Sequence, residues 1–187
     1  KLNLKNVYKE ITDYYLDNKQ SAEVIPLLKR LENEAEKDQN KLFAQANLMK
    51  IYSESGDVKS AESYAEKILS NSKLDKRIKT DAQLISARAA IANKDLATAK
   101  KSYSELLTSA NGEIAAEALY YDAYFKNADK KYEASNVAIQ KLAKDYSGYK
   151  YFGAKGLVLM ANNFYGLKDS YQATYILENV ITNFADY

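Results

Sequence analysis

The chain has 187 residues and contains no histidine, no cysteine and no tryptophan. Without histidine and cysteine, it can form neither a Ser-His or Cys-His nucleophile pair nor a histidine-ligated or thiolate-ligated metal site. Lys and Arg together number 27 and Asp and Glu 25, a net charge of +2 that offers no basic surface for nucleic acid or anionic lipid. We therefore predict a protein that is not an enzyme, requires no metal or cofactor and binds no nucleic acid.

Proline and glycine are also scarce, with one Pro and 6 Gly. A β-sheet or α/β domain of this length normally uses more of these residues in its turns. The longest apolar run, Leu157 to Ala161, has only five residues, whereas a membrane-spanning helix needs about 18 or more. The composition thus predicts an all-α fold without a membrane span.

A repeat with spacings of 35 to 39 residues runs through the chain. Each copy has an alanine followed by apolar residues at the spacing of an amphipathic helix. The alanines are Ala22, Ala61, Ala99, Ala134 and Ala173. Four positions earlier stand Asn18, Asp57, Asp95, Lys130 and Asp169, and Asp and Asn are common helix N-caps. A second helical pattern precedes each alanine, so we predict about ten helices in five antiparallel pairs.

The approximate repeat boundaries are 1–38, 39–73, 74–111, 112–147 and 148–187. No linker or shift in composition interrupts them, so we predict one continuous domain. The recurring alanine has a physical role, because two helices can approach closely only where a side chain is short.

Helix pairs with a recurring alanine and an Asp four residues before it resemble the tetratricopeptide repeat family. The match is best in the fifth repeat. Its family positions hold Ala154, Leu157, Met160, Ala161, Phe164, Ala173, Leu177 and Val180. The fourth repeat fits only if its register slips by one residue, and in the first only Ala22 and its second helix carry the pattern. The resemblance implies a right-handed superhelical array of about five helix pairs, an α-solenoid.

The resemblance also implies a function, namely a scaffold that binds a peptide or a partner protein on a concave wall lined by the first helix of each pair. The groove candidates carried over from the family are Phe43, Lys50, Arg88, Asn162 and Tyr165. Lys50, Arg88 and Asn162 are suited to hold the backbone or a carboxylate of a bound peptide. Val158 occupies a position that the family's carboxylate clamp needs for a polar residue, so that clamp is unsupported. An ordinary solvated wall is the alternative interpretation.

Tyrosine is abundant, with 17 residues, ten of them between Tyr120 and Tyr175. Such rigid aromatic side chains with a polar tip are favoured in binding patches. They also fill gaps between long helices, and the sequence leaves both interpretations open.

The chain begins Lys1-Leu2-Asn3, and its last predicted helix extends almost to Tyr187. Either a leader has been removed or the chain is a fragment of a longer repeat protein. We expect the fragment, with self-association through uncapped terminal helices. Its alternative function is then a structural spacer, or a module similar to an outer-membrane assembly lipoprotein. The resemblance to tetratricopeptide proteins of gram-negative envelopes favours the periplasm or cell envelope over the cytoplasm.

Overall fold

The computed structural model describes residues 4–17 and 20–185, which form ten α-helices and no β-strand. The helices are α1 (Leu4–Asp17), α2 (Ser21–Glu34), α3 (Asp38–Glu54), α4 (Val58–Leu69), α5 (Lys76–Ala92), α6 (Leu96–Ser109), α7 (Gly112–Ala128), α8 (Tyr132–Asp145), α9 (Lys150–Gly166) and α10 (Ser170–Asn183). The predicted all-α fold and the ten helices are confirmed.

The chain divides into two compact units between residues 93 and 94. Unit 1 contains α1 to α5, and unit 2 contains α6 to α10. The third predicted repeat, 74–111, thus contributes α5 to one unit and α6 to the other. The repeat boundaries and the single continuous domain stay predictions.

Three of the predicted N-cap residues begin a second helix of a pair. The carboxylates of Asp57, Asp95 and Asp169 each accept a hydrogen bond from a backbone N–H in the first turn of the helix that follows. The donors are Ser60, Thr98 and Gln172, at 3.1, 3.1 and 3.0 Å. Each bond satisfies an amide that has no partner within the helix. Asn18 lies outside the described residues.

The helix α8 begins one residue later than the alanine repeat predicts. Its N-cap is Lys131 rather than Lys130, so Ser135 takes the position that Ala61, Ala99 and Ala173 hold in their own helices. Ser135 is fully buried and its hydroxyl donates to the Ala123 carbonyl at 2.8 Å, whereas Ala134 is exposed. The prediction of a buried small residue at Ala134 is therefore wrong, because a serine that hydrogen-bonds its neighbour can fill the same space.

A similar correction applies to Ala22. The N-cap of α2 is Gln20, which places Val24 at the equivalent position. Val24 is fully buried in the core of unit 1, while Ala22 lies exposed in the first turn. The alanines at positions 61, 99, 161 and 173 are all buried.

A turn of the same conformation precedes several of these N-caps. Gly56, Lys94, Lys130 and Lys168 have φ angles of 80°, 61°, 60° and 67°, in the left-handed region. In α9, for example, the N–H groups of Lys168 and Asp169 donate to the carbonyls of Tyr165 and Phe164 at 3.1 and 2.9 Å. This arrangement closes the helix and reverses the chain within a few residues.

A second small residue recurs in the first helix of the later pairs. Ala44, Ala82, Ala118 and Gly156 stand at the same distance before the N-caps of α4, α6, α8 and α10, and all are buried. A Cβ atom on Gly156 would lie 3.2 Å from Cγ2 of Ile139 and 3.3 Å from Cδ2 of Leu142. The small residue therefore sets how closely α9 packs on α8.

Each unit has its own apolar core. The fully buried centre of unit 1 includes Leu28, Ala44, Leu48, Ala65 and Ile68, contributed by α2, α3 and α4. That of unit 2 includes Ala116, Ala123, Ile139, Leu142 and Phe152, contributed by α7, α8 and α9.

Glu32 joins three helices of unit 1 through hydrogen bonds. Its carboxylate accepts from Gln45 Nε2 at 3.1 Å, Tyr64 Oη at 3.0 Å and Lys67 Nζ at 3.1 Å. Burial alone would raise the pKa of Glu32, but these hydrogen bonds outweigh it and hold the pKa below its usual range. The cluster therefore stabilises the fold above the ordinary glutamate pKa of about 4.3 and loses that stabilisation as the pH falls through the lowered value.

We expect Glu32→Gln to lower the free energy of unfolding at pH 7 by about 1–3 kcal/mol, the usual range for hydrogen bonds to a charged group. In urea unfolding experiments, the difference in free energy of unfolding between wild type and this variant should become smaller as the pH is lowered to 3. Glu34→Gln is the matched control, because Glu34 is exposed and, among the described residues, pairs with the exposed Arg30, a contact expected to contribute within about 0.5 kcal/mol. Equal losses for the two variants, or a loss at Glu32 that does not depend on pH, would contradict the assigned role of the cluster.

Candidate functional site

A groove of about 330 Å³ lies in unit 1 between α3 and α5, the first helices of the second and third helix pairs. Its apolar lining includes Met49, Leu84 and Ile85, of which Met49 and Leu84 are buried. The short side chain of Ala46 also lines the groove and leaves room there. The arrangement offers apolar surface to a ligand that is laid between two helices.

Charged side chains of both signs also line the groove. The cations are Lys50, Arg77 and Arg88, and the carboxylates are Glu54 and Asp81. Among the described residues, no hydrogen bond or ion pair within 4.0 Å joins Asp81 to Lys50 or Arg77. Asp81 is attracted to Lys50 and to Arg77 only through longer-range Coulomb interactions.

Partial burial of Asp81 disfavours its ionised form. Burial raises the pKa of Asp81, and the opposing effects of Arg77 and Lys50 do not offset it. A carboxylate with a raised pKa binds a proton more tightly in the folded state than in the unfolded state. Asp81 therefore lowers the free energy of unfolding as the pH rises above the ordinary pKa of aspartate. Groups with perturbed pKa values concentrate at functional sites.

The structure brings two of the predicted groove residues together and leaves the others elsewhere. Lys50 and Arg88 line the same groove. Phe43 is half-buried and packs against the core of unit 1, outside the residues that line the groove. Asn162 and Tyr165 are exposed on α9 in unit 2. A binding role for these three residues stays a prediction.

Sequence analysis missed Arg77 and Asp81. A signal was available, because Arg77, Asp81, Leu84 and Arg88 follow one another at intervals of three or four residues along α5. This spacing places them on one face of the helix. Only the packing of α3 beside α5 brings Lys50 toward Asp81.

Comparison with known proteins places this architecture among solved structures. No protein-family model matches the chain, and no curated protein sequence matches it. The MamA protein superimposes with a TM-score of 0.72 and 14% identity, covering 95% of this chain and 90% of that chain. A tetratricopeptide repeat protein from Parabacteroides merdae superimposes with a TM-score of 0.61 and 15% identity, covering 95% and 79%. The chain has the tetratricopeptide repeat fold.

A third structure gives the same result. The nearly identical TPR-like repeats of a kinesin light chain-type protein from Podosopora anserina superimpose with a TM-score of 0.66 and 15% identity, covering 95% of this chain and 92% of that one. The tetratricopeptide-like fold predicted from the repeats is therefore confirmed.

Part of the tyrosine-rich segment is packed inside unit 2, whereas Tyr151, Tyr165, Tyr171 and Tyr175 are exposed. Tyr120, Phe125 and Phe152 are buried, and burial, together with neighbouring tyrosines, raises the pKa of Tyr120 to about 12. The ammonium group of Lys155 lies over the rings of Tyr120 and Tyr151, at 4.5 and 5.2 Å from their centroids. For Tyr120, Phe125 and Phe152 the packing interpretation holds, since their rings are buried among neighbours.

Unit 2 also has a groove of about 200 Å³ between α6 and α7, but its charges are largely paired. Lys100 bonds to Asp129 at 2.8 Å, and Lys126 bonds to Asp122 at 2.6 Å. A ligand would have to break these ion pairs, whereas Lys50, Arg77 and Asp81 in the groove of unit 1 form no ion pair with one another. The groove between α3 and α5 is therefore the better candidate site.

Residues 4–17 and 20–185 offer neither a metal site nor a membrane span. No group of three or more carboxylates there is placed to hold a metal ion. None of the described helices combines the length and the apolar character needed to cross a bilayer.

Proposed function

We propose that this protein is a non-catalytic interaction module whose groove between α3 and α5 binds an extended peptide segment of a partner protein. The observation that carries the proposal is Asp81, a half-buried carboxylate without a hydrogen-bond partner among the described residues. A residue that costs stability in the free protein is well explained if a ligand supplies the missing partner.

The mixed charges of the groove suit a peptide backbone. An extended backbone presents N–H donors and C=O acceptors in alternation. Asp81 can accept from an N–H group, while Lys50 and Arg77 can donate to a carbonyl or to a carboxylate side chain. Apolar side chains of the same peptide would cover Ile85, which is half-buried and lines the groove beside the buried Met49 and Leu84. This arrangement uses both signs of charge and the apolar lining at once.

The test begins by panning a random dodecapeptide library, displayed on phage, against the intact chain. Enriched peptides should bind Asp81→Asn and Lys50→Ala at least 10-fold more weakly, since a hydrogen bond to a charged group is worth about 1.5–3 kcal/mol. Asp81→Asn should also unfold at a higher urea concentration at pH 7, because it removes a half-buried charge that has no hydrogen-bond partner among the described residues. A variant that becomes more stable while it loses binding is the distinctive outcome.

Lys59→Ala is the matched control, because Lys59 is an exposed lysine of α4 outside the groove. Peptide affinity should be unchanged in this variant. A library that enriches nothing, or peptides that bind wild type and Asp81→Asn equally, would sink the groove assignment.

A second candidate function is a structural spacer in a longer envelope repeat protein that self-associates through its terminal helices. It is supported by large apolar residues exposed on α1 and α10, among them Tyr14 and Ile181. For this second candidate function, we propose a location in the periplasm or cell envelope.

A further inference from the structure

Asn111 and Gly112 form the only Asn-Gly dipeptide of the sequence, at the junction between α6 and α7. Asn111 is exposed and precedes α7 as its N-cap, with an extended backbone and no capping hydrogen bond from its side chain. Within the described part of the chain, no hydrogen bond holds the Asn111 carboxamide or the backbone N–H of Gly112. Two adjacent groups that can react with each other are therefore both unrestrained.

The local structure favours a glycine after Asn111. Gly112 has a φ angle of 59°, in the left-handed region that residues with a side chain rarely adopt. A Cβ atom on Gly112 would also lie 3.2 Å from the hydroxyl oxygen of Tyr149. Because glycine has no Cβ, its backbone nitrogen is less shielded than that of any other residue. The fold thus keeps an unhindered nitrogen beside an exposed carboxamide.

Asn71, in the loop between α4 and α5, shows the opposite arrangement. It is also followed by a small residue, Ser72, but it is half-buried. Its Oδ1 accepts a hydrogen bond from the backbone N–H of Lys73 at 3.0 Å. This turn fixes the orientation of the carboxamide, so rotation of the carboxamide toward the Ser72 nitrogen first has to break the hydrogen bond. Asn71 is therefore an internal comparison for Asn111.

We propose that Asn111 is a site of spontaneous deamidation, at which the backbone nitrogen of Gly112 attacks the side-chain carbonyl carbon of Asn111. A bond forms between this nitrogen and this carbon, and the carbon–nitrogen bond of the carboxamide breaks. The proton of the attacking nitrogen leaves with the amino group as ammonia, and the product is a cyclic succinimide. Water then adds to either carbonyl of the ring, which opens to aspartate or isoaspartate. Water is the only co-reactant.

Either product changes the start of α7. Aspartate places a carboxylate at the N-cap, the residue type that caps α4, α6 and α10 and that the positive end of the helix dipole favours. Isoaspartate carries the chain through the former side chain, which adds a methylene group to the backbone immediately before Gly112. The reaction therefore adds a negative charge between α6 and α7 and, as isoaspartate, lengthens their connection. The site lies in unit 2 and is independent of the groove between α3 and α5.

The experiment compares the intact folded chain with two synthetic peptides, residues 106–117 and 66–77, which contain the two asparagines without the fold. All three are incubated at mildly alkaline pH, and mass spectrometry of proteolytic fragments follows the conversion of each asparagine. We expect Asn111 in the folded chain to react within about 10-fold of the rate in its peptide, and Asn71 to react more than about 10-fold more slowly than in its peptide. Asn111→Gln is the matched control and should abolish conversion at this position, because the longer side chain has to close a larger ring.

Circular dichroism during the incubation shows whether the chain stays folded. Absent conversion at Asn111, or slowing of Asn111 by folding as strong as that of Asn71, would overturn the proposal. So would aspartate without isoaspartate in an enzymatic methylation assay for isoaspartate, because direct hydrolysis of the carboxamide yields aspartate alone.

Discussion

Replacing Asn163 by alanine is expected to lower the free energy of unfolding by about 2–4 kcal/mol. Asn163 is fully buried in α9 and hydrogen-bonds to α7 and α8 at the same time. Its Nδ2 donates to Ser135 Oγ at 2.8 Å and to Asn136 Oδ1 at 2.7 Å, and its Oδ1 accepts from Asn127 Nδ2 at 2.6 Å. The substitution leaves buried polar atoms without partners, in addition to a cavity, and each unsatisfied group costs about 1–3 kcal/mol.

The neighbouring residue provides the control. Asn162 is exposed on the same helix, so Asn162→Ala should change the free energy of unfolding by no more than about 0.5 kcal/mol. Both values come from equilibrium urea unfolding followed by circular dichroism. If the two variants lose similar amounts, the network around Asn163 does not hold α7, α8 and α9 together.

The second large effect is expected for Gly156→Leu. This substitution should lower the free energy of unfolding by about 3 kcal/mol, the upper end of the usual range for overpacking. A Cβ alone would meet Ile139 and Leu142 at distances tighter than ordinary contact. The further atoms of leucine can be accommodated only if α9 moves away from α8 or if those side chains leave their preferred rotamers. The expected result is a lower urea midpoint and a less cooperative transition for unit 2.

Gly153 is the control for this substitution, since a Cβ built there meets nothing within 4 Å. Gly153→Ala lies in the same helix and should raise the free energy of unfolding by about 0.5–1 kcal/mol, because alanine loses less backbone entropy than glycine. A tolerated Gly156→Leu would show that the small residue does not set the spacing between the helices.

The number and type of the helices could be predicted from the sequence because they depend on local patterns. Apolar residues at helical spacing and an Asp at the N-cap act within a few residues, as at Asp57 and Asp169. The exposed Ala22 and Ala134 show where this reasoning fails. Val24 and Ser135 fill the same packing position with different side chains, so the position is specified by volume and burial rather than by residue type.

The candidate site was less accessible to sequence reasoning. Lys50 and Arg88 follow from the family resemblance, and both line the groove. The role of Asp81 depends on the packing of α3 against α5 and on the burial that results. Neither this packing nor this burial can be predicted from the residues next to Asp81 in the sequence. An aspartate within a helix ordinarily indicates a solvated face. The buried Asn163 was overlooked for the same reason, beside the exposed Asn162.

The most direct test of the proposed function is hydrogen–deuterium exchange of the intact chain, with and without a saturating concentration of a peptide selected from the library. A peptide that lies in the groove should slow amide exchange in α3 and α5, residues 38–54 and 76–92, because binding stabilises the helices it contacts. Exchange in α6 to α10 should stay unchanged. Protection confined to α6 to α10, or no protection at saturation, would contradict the assignment of the groove between α3 and α5 as the binding site.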